Sequence, residues 1–210
     1  MPFVFTDDAL NSLDQSISIE RLTSYLISAH GDRQKALFLY ERNRVLSEGL
    51  YGMLQGLEVA LRNSIHREMS ADTGRSDWYD RPGTLYRPEA DTVAEAKANI
   101  PGGKPMTPAR VVAQLTLGFW VKLLGRNYEK ALWVPHLYKS FPHLRKPDRR
   151  NVFDRLDKIR GLRNSIAHHE RILHRDLKSD YGALLETLAW ICPVTASWVN
   201  VHNSLHMLIH

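Results

Sequence analysis

Apolar residues in this chain recur at intervals of three and four, and no stretch alternates convincingly between apolar and polar. That spacing follows the 3.6-residue turn of an α-helix, not the two-residue repeat of a strand. It predicts an all-α fold with no substantial sheet, and the chain length suits a single domain over residues 1–210. The longest run opens at Asp32 and is expected to continue to about Ser70. Its stripe is Leu46, Leu50, Met53, Leu57, Leu61 (or Ala60) and Ile65. Gly49, Gly52 and Gly56 interrupt this run. A glycine inside a helix costs about 1 kcal/mol relative to alanine, so close packing against another backbone is the expected reason for them.

Around that helix the chain divides at its turn residues. Short helices are predicted from Thr6 to about Gln15 and, capped by Ser18, over 19–29. Residues 71–108 read as a loop-rich insertion holding a short helix at 90–99. Thr107 and Pro108 form a helix entry, with Thr as cap and Pro at the first position. That helix is expected to reach about Leu124, and a further one, broken by Pro135, to span 128–138. Asp148 caps a helix predicted to run to about Leu173, and two last helices follow at 180–191 and 194–208, separated by Pro193.

The helix after Asp148 carries the candidate chemistry. Leu156, Ile159, Leu162 and Ile166 fall on one stripe with Val152, and Arg163 falls there too. A guanidinium does not lose its proton, so on an apolar face it requires a carboxylate, a phosphate or a wet seam. Asn164 and His168, four apart, share a polar face. RNA is cleaved without metal when its 2′-hydroxyl attacks the adjacent phosphorus. A base removes the hydroxyl proton and an acid protonates the departing 5′-oxygen. Histidine can do either near neutral pH, and an arginine fork can stabilise charge on the phosphoryl oxygens. Asn164 would orient His168 or donate to phosphate. The competing reading is a buried Arg163 paired with a core carboxylate and capped by His168.

The run Arg163-Asn-Ser-Ile-Ala-His168 resembles the Arg–polar–three spacers–His motif of the HEPN superfamily of helical ribonucleases. The wider segments RGLRNSIAHHERIL and LYERNRVLSEGLYGMLQGLEVALRNSIHREM, in that family's order, resemble its Abi-like branch, proteins linked to abortive infection of phage-infected bacteria. The resemblance spans roughly residues 20–200. It implies an all-α, HEPN-like helical bundle with additional helices, acting as a metal-independent endoribonuclease with Arg163, Asn164 and His168 as catalytic residues. It further implies a homodimer whose composite site takes RNA, a toxin-like role in phage defence, and a neutralising RNA or protein antitoxin. His169 and Glu170 complete the HHER run as supporting residues. Glu58, or Glu41, is expected to support Arg163. A non-catalytic RNA- or protein-binding helical module is the alternative.

Charge fits an anionic partner. Lys and Arg exceed Asp and Glu by five over the whole chain, and residues 143–163 alone hold eight Lys or Arg against three Asp. Arg149, Arg150, Arg155, Lys158 and Arg160 are the candidate RNA contacts from this run, although each taken singly also suits a solvated helix face. Glu58, Arg62 and His66, spaced by four, predict an intrahelical Glu–Arg pair. His168, His169 and His174 lack a facing set of metal ligands, and HExxH is absent. His202, His206 and His210 suit a polar stripe on a tail helix. Trp120, Trp133, Trp190 and Trp198 are expected in the core. The single Cys192 excludes an internal disulfide. The acidic N-terminal stretch is unlike a signal peptide, and no apolar run is long enough for a membrane span. The expectation is a cytoplasmic protein with no cofactor and no metal.

Overall fold

The computed structural model describes residues 3–203 and Leu205. Every regular element among them is helical, and no strand occurs. Helix α1 (Asp7–Ile17) is capped by Thr6, α2 (Ile19–Ser28) by Ser18, and α3 (Arg33–Thr73) by Asp32, each side chain accepting from a first-turn N–H. At 41 residues α3 is about 60 Å long, and it is the spine of the molecule. Gly74 ends it in the left-handed conformation, φ 69°.

A short 3₁₀ turn, Trp78–Asp80, and α4 (Arg87–Ala98) follow. Segment 71–108 is built into the core: Trp78, Tyr79, Val93 and Ala96 are buried with residues of α3. The chain continues with α5 (Pro108–Gln114), α6 (Leu117–Lys122), a 3₁₀ turn, a π turn (Glu129–Trp133) and another 3₁₀ turn. It closes with α7 (Arg149–Ala167), α8 (Leu177–Ile191) and α9 (Pro193–Val201). The expected end of the last helix, with His206 and His210 of the histidine series, lies outside the described residues.

The apolar stripe of α3 is buried throughout, with Leu61 fully buried and Ala60 partly buried against the same core. It packs against α2, α6, α7, α8 and α9. The glycine series meets α9 and the residues after it. A Cβ on Gly56 would stand 2.8 Å from Val199, and one on Gly49 would stand 3.0 Å from Leu205. The close neighbours are side chains rather than the backbone the sequence suggested. The backbone of Gly49 is still engaged, since its carbonyl accepts from Asn203 Nδ2 at 2.7 Å.

Two expectations are corrected here. The helix predicted from Thr107 to Leu124 breaks in two at Leu115–Thr116, both extended. The carboxylate of Glu58 accepts from the Leu117 N–H at 2.8 Å and so caps α6 from another helix, while Leu115 O accepts from Trp120 Nε1. Second, Trp198 is 62% exposed rather than in the core, and Trp190 is half-buried, whereas Trp120, Trp133 and Trp78 are buried.

Candidate nucleic-acid site

Helix α7 begins at Asp148, which accepts from Asn151 N at 2.8 Å, and it buries Val152, Leu156, Ile159, Leu162 and Ile166. It stops at Ala167, six residues before the expected end. His168 is the C-cap and His169 is left-handed, φ 55°. Glu170 N donates to Ser165 O at 2.8 Å, and His169 N donates to Ile166 O at 3.0 Å. These are the paired bonds of a Schellman closure, with histidine where glycine is usual. His168 and His169 are therefore presented at the end of α7, both exposed, rather than inside a continuous helix.

The chain beyond is clamped. Arg21 of α2 donates to His169 O at 2.7 Å. The buried Asn43 of α3 donates to Glu170 O at 3.2 Å and accepts from Ile172 N at 2.7 Å. Arg171 donates to Ser24 O and Ser28 Oγ and lies over the Tyr25 ring. Neither Asn43 nor Arg21 is evident in the sequence as a site residue. Asn43 is a polar residue on the apolar side of α3, and that was the one available signal.

A left-handed non-glycine residue costs about 1–2 kcal/mol in backbone sterics. Against that, glycine is more flexible in the unfolded chain. His169→Gly is expected to raise unfolding free energy by up to about 1 kcal/mol, and the β-branched His169→Val to lower it. Urea unfolding of the two variants checks the sign.

Arg163 is half-buried and lines an open groove between α7 and α3, with Ile166, Ala167 and His169 on one wall and Arg44, Glu48 and Tyr51 on the other. The groove's other guanidinium is occupied: Arg44 bridges Glu41 at 2.7 Å and Glu48 at 3.0 Å, and it holds the Glu41 carboxyl below the usual carboxylate range. The Arg163 side chain forms no ion pair or hydrogen bond among the described residues. The carboxylates expected to support it lie elsewhere, Glu58 on α6 and Glu41 on Arg44. Asn164 is half-buried, and its carbonyl accepts from His168 N at 2.9 Å. Glu170 is exposed, held by its backbone.

Nor does the predicted Glu58–Arg62 pair form. His66 on the same face accepts from the Trp78 indole at 3.1 Å, and burial lowers its affinity for a proton. An imidazole nitrogen must be unprotonated to accept, so the bond and the burial favour the same neutral state.

The five candidate RNA contacts do not form one surface. Arg149 is only 12% exposed, donates to Leu124 O and faces Glu129 at 3.4 Å, so it ties α7 to the end of α6. Arg155 pairs with Glu186 of α8 at 2.7 Å and lies over Trp190. Arg160 pairs with Asp157 at 2.7 Å, and Arg150 reaches Asp154 only at 3.7 Å. Lys158 is exposed and its side chain has no partner among the described residues; it lies in a groove shared with Arg145, Lys146 and Arg155 on the α8 side of α7. Arg163 opens on the α3 side instead.

No described helix is long and apolar enough to cross a membrane, and no cluster of three metal-ligating side chains occurs among the described residues. A scan against protein-family models finds no match, and searches of curated proteins and of solved structures find none either.

Proposed function

We propose that the protein is a metal-independent endoribonuclease of the Abi-like HEPN type, acting on RNA in the groove beside Arg163. The observation that carries this reading is the state of Arg163. It is a half-buried guanidinium with no carboxylate partner among the described residues, opening on a groove at the end of the helix that also presents His168 and His169. A cation so placed suits a phosphate, with its planar fork directed to two phosphoryl oxygens. His168, exposed at the helix end, is the general acid or base. A two-fold partner bringing a second α7 to this groove would supply the other proton-transfer group. A cell-halting role in phage defence follows from the same resemblance, as does restraint by an RNA or protein antitoxin.

The test is direct. Purified protein is expected to cleave total RNA with EDTA present, leaving 2′,3′-cyclic phosphate ends. Such ends arise when the adjacent hydroxyl, not water, attacks phosphorus. Binding of RNA with no cleavage under these conditions would select the non-catalytic module, and cleavage abolished by EDTA would select a metal enzyme.

A further inference from the structure

Arg42 and Arg44 sit two residues apart on α3 and so project about 200° apart around it. Arg44 lines the groove beside Arg163, whereas Arg42 lines a different cavity of about 480 Å³, between α3, the end of α2 and the chain running from Arg171 into α8. Four cations rim this cavity: Arg42, Arg171, Arg175 and Lys178. Its apolar lining is Leu39, Leu46, Leu173 and Leu177.

The four cations differ in what already holds them. Arg175 forms a two-pronged pair with Asp180 at 2.7 and 2.9 Å. Arg171 is fixed by Ser24, Ser28 and the Tyr25 ring, and its Nε is buried without an acceptor. Arg42 and Lys178 are exposed, and their side chains have no ion pair or hydrogen bond among the described residues. The one acid of the lining, Asp176, is engaged in capping α8, where it accepts from Ser179 N at 3.0 Å. Two immobilised guanidinium groups and two free cations thus face one concavity, against the carboxylates of Asp176 and of the Asp180 that holds Arg175.

A cationic rim calls for an anion of several charges, and the leucine lining calls for an apolar body beside it. The volume lies within the range of small-ligand sites. We propose that this cavity binds a nucleoside polyphosphate, with its phosphates at Arg42, Arg171 and Lys178 and its base against the leucines. The site does not depend on the nuclease reading, because it shares no residue with the groove beside Arg163.

Titration calorimetry with ATP, GTP and inorganic tripolyphosphate tests it. Wild-type protein is expected to bind one nucleotide per chain. Binding should weaken at least tenfold in the Arg42→Glu/Lys178→Glu protein and in the milder Arg42→Ser/Lys178→Ser protein, both altered only at exposed positions. Arg163→Ala should bind within twofold of wild type. Tripolyphosphate should bind more weakly than the nucleotides, since it has no base to place on the leucines. The proposal is overturned by absence of saturable nucleotide binding, by equal binding in the double variants, by loss of binding in Arg163→Ala, or by tripolyphosphate binding as tightly as ATP.

Discussion

His168→Ala is expected to slow RNA cleavage by about 10²–10⁴-fold while leaving the fold intact, because a positioned acid or base contributes on that scale. The side chain is exposed and has no hydrogen-bond partner among the described residues, so its removal should shift unfolding free energy by less than about 0.5 kcal/mol. Arg163→Ala should cause a loss of the same order, since on the proposed reading the donors that would meet the developing phosphoryl charge disappear with it. Arg163→Lys distinguishes geometry from charge. It keeps the cation and loses the planar fork, and it should remain strongly impaired if two oxygens are gripped together. Single-turnover rates on an end-labelled RNA, read beside the thermal midpoint of each protein, separate chemistry from folding. Wild-type rates in His168→Ala would take that imidazole out of the mechanism. A midpoint lowered in proportion to activity in Arg163→Ala would make that residue structural.

What the sequence reveals of this arrangement depends on how local each feature is. The stripe from Leu46 to Ile65 is legible because one helix carries all of it and periodicity alone sets which face is buried. The end of α7 is not, because Ile172 and Leu173 continue the apolar spacing and no glycine, proline or asparagine marks the stop. The closure at His169 is reinforced instead by Asn43, 127 residues away from Glu170 and 129 from Ile172. Glu58 and Arg62 have the right spacing for a pair, but a pair of that kind is worth only about 0.2–0.5 kcal/mol. The N–H of Leu117 at the start of α6 needs an acceptor, and the carboxylate is there instead. The basic run before Arg163 is plain in the sequence. Its neutralisation is not, because Glu129 and Glu186 come from other elements. Non-local polar partners, rather than helix content, are what a periodicity argument leaves out.

Asn43→Ala is the substitution expected to cost most for its size, about 2–4 kcal/mol, because it leaves two backbone groups without their partner. Asn43 is 6% exposed, and its bond to Ile172 N is buried, so water does not replace the lost acceptor freely. The carbonyl of Glu170 loses its donor at the same time. Just before these two anchor points the chain sends His169 to the groove beside Arg163, and between them it sends Arg171 to the cationic cavity. Loosening it should therefore impair RNA cleavage by more than the unfolded fraction accounts for. Asn43→Asp separates the two bonds. One carboxyl oxygen can still accept from Ile172 N, but the other now stands where the amide faced the Glu170 carbonyl, and two acceptors repel. Protonation turns that oxygen into a donor and restores the bond, so the folded state raises the affinity of Asp at position 43 for its proton. A group shifted that way stabilises below its unfolded value, about 3.9, and loses the contribution as pH rises through its higher folded value. The stability gap between Asn43→Asp and the native protein should accordingly narrow on going from pH 7 to pH 4, as urea midpoints at the two values would show. A gap that stays constant or widens toward pH 4 would mean that the amide's donation to Glu170 contributes little, and that the acceptor toward Ile172 alone holds the segment.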